Sequence, residues 1–358
     1  MTFTSSRAAA VLFAALVLVC ALAVAVVGRV ASASAQPQLP GRVYFDAGPV
    51  SGLREARILA TAPAWRGGPT TTPTGEVVDI RVSDSLPPDV TPEYWAGFLG
   101  NLVHGSELSR LTMYVTTLDD VQAECGERAL GCYGADQMVV PGEVAPDGTT
   151  PEEIVRHEYG HHIAYNRTNA PWSAIDWGPK NWASAVDVCG RVSRQQAFPG
   201  DEGSNYQLNP GEAWAETYRL LVEQKAGITT NTWPIVDSSF YPSPAALVAA
   251  ERDVLQPWTT SRTTVYSHRF AKKAKKPWLI ALTTPLDGDF KASATLPSGS
   301  EYSVVLVSSN RRKVLKRGEW VGQRVKRLAT TVCGQRALFV RVTPNAVGGL
   351  VRVSVTRP

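Results

Sequence analysis

The charge of this 358-residue chain reverses sign near residue 268, and that reversal constrains its folding more than any other feature. Residues 36–267 carry 16 Lys and Arg against 28 Asp and Glu, whereas residues 268–358 carry 18 against 4. A switch of this size, at Lys272-Lys273-Ala274-Lys275-Lys276-Pro277, reads as a domain boundary. The length suffices for two ordinary cores. The chain is 44% hydrophobic and 19% charged, which excludes a disordered or fibrous protein.

The first 35 residues stand apart. Arg7 supplies a basic start, Ala8 to Val27 is an unbroken apolar run, and Ala33-Ser34-Ala35 offers small residues for cleavage after Ala35. Residues 1–35 are therefore expected to be a signal peptide, with an uncleaved anchor as the alternative because the run is long enough to span a bilayer. Either way the remainder is exported, secreted or membrane-tethered. Four cysteines remain there, an even number that suggests two disulfides. Cys125 and Cys132 enclose six residues and suit a small staple, which leaves Cys189 with Cys333. Four cysteines allow three connectivities, so the others stay open, as does a four-cysteine zinc site, although paired short Cys-x-x-Cys spacings are missing.

Between 36 and 262 the pattern mixes strands and helices. Strands are expected at 77–82, 110–117 and 136–140, and an amphipathic helix at 92–104. Thr150-Pro151-Glu152-Glu153 opens a further helix, with a capping hydroxyl, proline in the first turn and acids at the positive end of the dipole. That helix runs to about Tyr165, and another is expected from Pro210 to about Gln224. Residues 36–76 read as a pro-segment or an extended arm, and 263–276 as a basic linker. From 277 to 358, short β-branched runs separated by turn residues predict a β-sandwich. The fold class is thus α+β, a mixed sheet with an active-site helix, followed by an all-β domain.

The helix beginning at Thr150 contains EIVRHEYGHHI. His157 and His161 lie four apart, so both imidazoles leave one face and can bind one ion. Neutral imidazole suits Zn2+. Glu158 follows the first histidine, placed to reach a water on the ion without being a ligand. Zinc lowers the pKa of bound water to about 7, and a neighbouring carboxylate can take its proton and return it to the leaving group. The same spacing also fits two ordinary surface histidines. His162, about 100° further around the helix, is expected to pack or hydrogen-bond locally.

A catalytic zinc needs a third protein ligand. The metzincin continuation would require Gly at 164 and His or Asp at 167, where the chain has Ala164 and Arg167. Asp176 has no supporting neighbours. The stronger source is NPGEAWAETY, in which Glu212 and Glu216 are again four apart: one carboxylate can bind zinc while the other orients a histidine. An ordinary acidic helix face is the competing reading.

HEYGH followed about fifty residues later by GEAWAETY resembles the gluzincin class of zinc metallopeptidases. GSNYQLNPGEAWAETYRLL is also similar to the corresponding stretch of lethal-factor-type toxin proteases. The resemblance covers 150–224. It implies a zincin-like catalytic domain, one zinc on His157, His161 and Glu212, Glu216 behind a histidine, Glu158 as base then acid, and Tyr206 as a hydroxyl donor to the oxyanion. It also implies an edge strand, placed at 134–140, that pairs with an extended peptide or protein substrate. The strand order and the CGQRALFVRVTP stretch of the C-terminal region resemble bacterial pre-peptidase C-terminal domains.

The expected function is therefore a secreted zinc metallopeptidase. Its rivals are a zinc hydrolase of other amides and a non-catalytic surface-binding protein with a vestigial site. The basic C-terminal region suits an anionic cell wall or membrane surface, or complements the acidic region before it. Nucleic acid is not expected as a partner, because export removes the usual target. Asn166-Arg167-Thr168 forms a glycosylation sequon, and the tryptophans between 172 and 214 suit either cleft or core.

Overall fold

The computed structural model describes residues 64–229, 232–345 and 347–358. The expected signal segment lies outside the described residues. Among the described residues no helix is long and apolar enough to cross a membrane.

The N-terminal lobe is built on a mixed sheet of β1 (Trp65–Thr71), β2 (Val77–Ser83), β3 (Thr112–Thr116), β4 (Cys132–Gly134) and β5 (Gln137–Pro141). The spatial order is β1-β2-β3-β5-β4. Strands β2, β3 and β5 run parallel, while β1 and β4 pair antiparallel on the two edges. Helices α1 (Pro92–Gly100), α2 (Leu118–Cys125), α3 (Pro151–Tyr165), α4 (Ala174–Trp177), α5 (Lys180–Ala185), α6 (Val188–Ser193), α7 (Pro210–Lys225) and α8 (Pro244–Leu255) complete it. One apolar cluster joins β2, β3 and β5 to α1, α3, α7 and α8.

Several sequence expectations change here. Within the segment read as an arm, Trp65–Thr71 is a sheet strand in register with β2; residues 36–63 lie outside the described residues. WRGGPTT shows no alternation, because this strand is held by main-chain pairing rather than by a buried face. The edge strand is Cys132–Gly134, not 134–140: β5 lies between β3 and β4, with Met138, Val139 and Val140 all buried. The helix expected over 92–104 stops at Gly100, where a side chain would strike Thr72.

The C-terminal lobe is two facing antiparallel sheets around a second core. Its strands are β6 (Arg262–Phe270), β7 (Trp278–Thr283), β8 (Gly288–Thr295), β9 (Ser303–Ser308), β10 (Val314–Arg317), β11 (Glu319–Trp320), β12 (Val325–Val332), β13 (Ala337–Thr343) and β14 (Gly349–Arg357). The orders are β10-β9-β13-β7 and β11-β12-β8-β14-β6. The 263–276 linker is corrected: 262–270 is a strand paired with β14 along its whole length. As an edge strand of mostly exposed polar residues, it gives little apolar signal.

The lobes are pinned together. Cys189–Cys333 and Cys125–Cys132 are the two disulfides, the pairing that the spacing favoured. Arg336 donates to Ser184 O at 2.7 Å and holds Asp287, whose N–H donates to Ser184 Oγ at 2.9 Å. Lys180 is buried at this junction, donating to Ala170 O at 2.6 Å beneath the rings of Trp172 and Trp258. Burial pushes its ammonium down to about 8, although Asp287, Asp289 and Asp253 pull the other way. A depressed folded-state value means that the fold disfavours the charge. Stability is therefore lower below pH 8 and rises as the pH climbs towards the unfolded value near 10.4. In chemical denaturation at pH 7 and pH 9.5, wild type is expected to gain up to about 2 kcal/mol at the higher pH. Lys180→Met should abolish most of that gain, and an undiminished rise in the variant would assign the slope elsewhere.

Candidate metal centre

Helix α3 begins with a reciprocal cap: Glu153 N donates to Thr150 Oγ1 at 3.3 Å, and Thr150 N donates to Glu153 Oε2 at 2.9 Å. Pro151 occupies its first turn. Helix α7 begins likewise, with Asn209 Oδ1 accepting from Gly211 N at 3.0 Å and Pro210 next. The two helices cross at Gly160 and Ala215, where a Cβ on Gly160 would lie 2.8 Å from Ala215 Cα. Trp214 Nε1 donates to Gly160 O at 2.7 Å and locks the crossing. Gly160 sits between His157 and His161, and Ala215 between Glu212 and Glu216. The close approach therefore brings both pairs of functional side chains together.

His157 Nε2 and His161 Nε2 lie 3.2 Å apart. Glu212 Oε2 is 3.2 Å from His157 Nε2, and Glu212 Oε1 is 3.5 Å from His161 Nε2. All three side chains are buried. Four donors about 2.0–2.1 Å from a tetrahedral ion stand roughly 3.3–3.4 Å from one another, so the observed spacing fits. On its far side, His157 Nδ1 is 3.0 Å from Glu216 Oε1. With the proton on Nδ1 and donated to Glu216, the Nε2 lone pair faces a carboxylate and a second imidazole. These are the donors that a divalent cation would take. His157, His161 and Glu212 could hold a metal.

The electrostatics around this group are set by burial, by Arg219 and by the histidines in their protonated form. Burial pushes the Glu212 carboxyl up, but the charge on His161 and hydrogen bonds from both histidines outweigh it and hold the group well below the carboxylate range. Burial also raises Glu216, yet the Arg219 guanidinium overrides it and brings the carboxyl down to about 2. Arg219 grips Glu216 with two hydrogen bonds, Nε to Oε1 at 2.9 Å and Nη2 to Oε2 at 2.8 Å. Its third nitrogen reaches Glu223 at 2.8 Å.

Glu158 is buried next to Gly131, where a Cβ would lie 2.8 Å from Glu158 Oε1. Gly131 immediately precedes edge strand β4. A small cleft opens here, with Leu130, Ile154 and Ile235 as apolar wall and His157, Glu158 and Arg219 at its polar end. Tyr206 donates its hydroxyl to Glu212 Oε2 at 2.9 Å, which puts it on the same group.

Five of the residues singled out in the sequence thus meet at one place, His157, His161, Tyr206, Glu212 and Glu216, and Glu158 lines a cleft together with His157 and Glu216. His162 faces away, with Nε2 2.9 Å from Glu107 O and Nδ1 3.1 Å from the Tyr133 hydroxyl. Asp176 is not in the metal group. Trp182 and Trp214 are core, and Trp172 stacks on Trp177 above Lys180. Asn166 of the sequon uses Nδ2 on Asp136 at 2.7 Å and on His162 O at 3.1 Å. Sequence reasoning missed Gly160, Gly131 and Arg219. Only Arg219 left a signal, its position three residues after Glu216.

Gly160→Ala tests the crossing. Alanine favours a helix by about 0.5–1 kcal/mol, but here its methyl must push α7 away. A net loss of about 1–3 kcal/mol is expected, with weakened metal binding in a zinc titration. Gly97→Ala, in a helix position with open space, should be neutral or stabilising. Equal effects of the two would remove the crossing as the cause.

No family model matches the chain, and no curated protein matches it in sequence. Among solved structures, the pre-peptidase C-terminal domain of a collagenase from Bacillus anthracis is 11% identical, with a TM-score of 0.23. That match covers 26% of this chain and 88% of the other. PliG, a periplasmic lysozyme inhibitor of Aeromonas hydrophila, is 10% identical over 27% of this chain and 83% of its own, with a TM-score of 0.19. The capsular polysaccharide assembling protein CapF of Staphylococcus aureus is 10% identical over 78% of this chain and 82% of its own, with a TM-score of 0.14. These scores are too low to transfer a fold or an activity, so the functional reading rests on the site itself.

Proposed function

We propose that this chain is an exported zinc metallopeptidase with a zincin-like N-terminal lobe. The observation that carries the reading is the convergence of His157, His161 and Glu212, with Glu158 lining the same cleft as His157. A site that only binds metal has no use for Glu158. Zinc held there would supply a Lewis acid and make a water acidic enough to act near neutral pH. Glu158 takes the proton of the attacking water and later delivers it to the leaving nitrogen. Glu216, clamped by Arg219, keeps the His157 proton on Nδ1 and its ring in place. Tyr206 holds Glu212 and stands ready to donate to the oxyanion developing on the scissile carbonyl.

The substrate assignment draws on β4. It pairs with β5 on one side only, and at Gly131 it adjoins Glu158. An extended peptide added to that edge would run past the metal group. The disulfides fit an oxidising compartment outside the cytoplasm.

The test is cleavage of a mixed peptide library by zinc-loaded protein, with and without a chelator. Chelator-sensitive products are expected. Metal-loaded protein that cuts amides but no peptides would indicate a different amide substrate, and no hydrolysis at all would favour a binding protein.

A further inference from the structure

The C-terminal lobe has one end joined to the N-terminal lobe, through Cys333, Arg336 and Asp287. Its other end, where β6, β8 and β13 finish and β7, β12 and β14 begin, holds eight of the eighteen Lys and Arg of residues 268–358. Four exposed lysines lie in the 271–276 loop, and exposed Arg269, Arg324, Arg327 and Arg352 lie beside it. Among the described residues none of these eight makes a salt bridge, so they do not neutralise the acidic lobe. Glu301 and Glu319 are the acids nearby.

The same end exposes apolar side chains. Trp320 and Val321 are each 45% exposed and Val347 and Leu350 each 39%, leaving Val265 as the one other large exposed hydrophobic described in this lobe. They sit on anchored turns. Buried Tyr302 donates its hydroxyl to Val347 O at 2.5 Å. Val321 N donates to Val325 O at 2.7 Å, and the Lys326 ammonium covers the Trp320 ring at 4.7 Å. A soluble polyanion requires the cations but not the tryptophan or the valines. Cations around a protruding tryptophan and aliphatic tips match the boundary of an anionic bilayer, where charged headgroups meet acyl chains.

We infer that this end of the sandwich docks the exported protein onto a membrane surface rich in anionic phospholipid, holding the N-terminal lobe on the solvent side. The inference does not depend on the metal site. Cleavage of a soluble peptide should be the same in every variant named here, and docking should persist if that activity is absent.

The test is sedimentation of the full chain with phosphatidylcholine vesicles with and without phosphatidylglycerol. Binding is expected only with phosphatidylglycerol and should weaken steeply from 50 to 200 mM salt as the charges are screened. Lys272→Ser/Lys273→Ser/Lys275→Ser should weaken it roughly 100-fold, at about 1 kcal/mol per lysine near the surface. Arg312→Ser/Lys313→Ser/Lys316→Ser removes the same charge around another strand, β10, and should change affinity less than threefold. Brominated lipid should quench wild-type fluorescence, and Trp320→Ser should remove that quenching. Equal losses in the two triple variants would reduce the effect to net charge and overturn the assignment. So would tighter binding to poly(glycerol phosphate) than to vesicles with no dependence on Trp320, or no binding to phosphatidylglycerol at 50 mM salt.

Discussion

Glu158→Gln should retain one zinc per chain and lose peptide hydrolysis by about 100- to 10,000-fold, the range spanned by general acid–base catalysis. The substitution keeps the shape of the side chain, so the packing against Gly131 and Ile154 is preserved. It removes the carboxylate that the proposed mechanism assigns to the proton of the water. Glu158 is outside the His157–His161–Glu212 group, so metal content measured by emission spectroscopy should match wild type. Two outcomes would sink the assignment: a variant that cleaves as well as wild type, or one that loses its metal. The first places the base elsewhere, and the second makes Glu158 a ligand.

The second large effect separates the carboxylates of α7. Glu212 lies within 3.2–3.5 Å of both histidine Nε2 atoms, whereas Glu216 touches the far nitrogen of His157 and is gripped by Arg219. Glu212→Ala removes a ligand and should strip zinc from the purified protein. Glu216→Ala leaves all three donors but frees the imidazole to rotate and leaves the Arg219 guanidinium with Glu223 as its remaining ion-pair partner. It should cost about 10- to 100-fold in zinc affinity and also lower thermal stability, because a buried guanidinium loses two charge-assisted hydrogen bonds. Competition with a chromophoric chelator measures both affinities. If Glu216→Ala loses the metal and Glu212→Ala keeps it, the roles are reversed.

Some of this was legible because it is local. His157 and His161 share a face by helical periodicity alone, and a capping threonine with proline and two acids marks where that helix starts. Glu212 and Glu216 were legible for the same reason. The sandwich strands that alternate strongly, such as Val351, Val353 and Val355 in β14, were legible because one face of each is apolar. Strand β6 was not, since an exposed edge needs no apolar face, and β1 was not, because Gly67-Gly68-Pro69 carries no pattern. The edge position of β4 was hidden for a different reason: three residues beside a disulfide cannot reveal which neighbour they lack.

The division between local and non-local interactions also separates what each level determined. The sequence alone settled which side chains could act together within one helix, the number of cysteines and the reversal of charge along the chain. These depend on spacing and composition, which need no partner. Only the tertiary structure decided that α3 and α7 touch, at Gly160 and Ala215, so that the two helical pairs face each other. It also decided that Arg219 stands behind Glu216, and that eight exposed basic residues from separate strands and loops share the end of the sandwich away from the acidic lobe. Each depends on contacts between residues distant in the chain, and those form only when a shared core holds the elements in register.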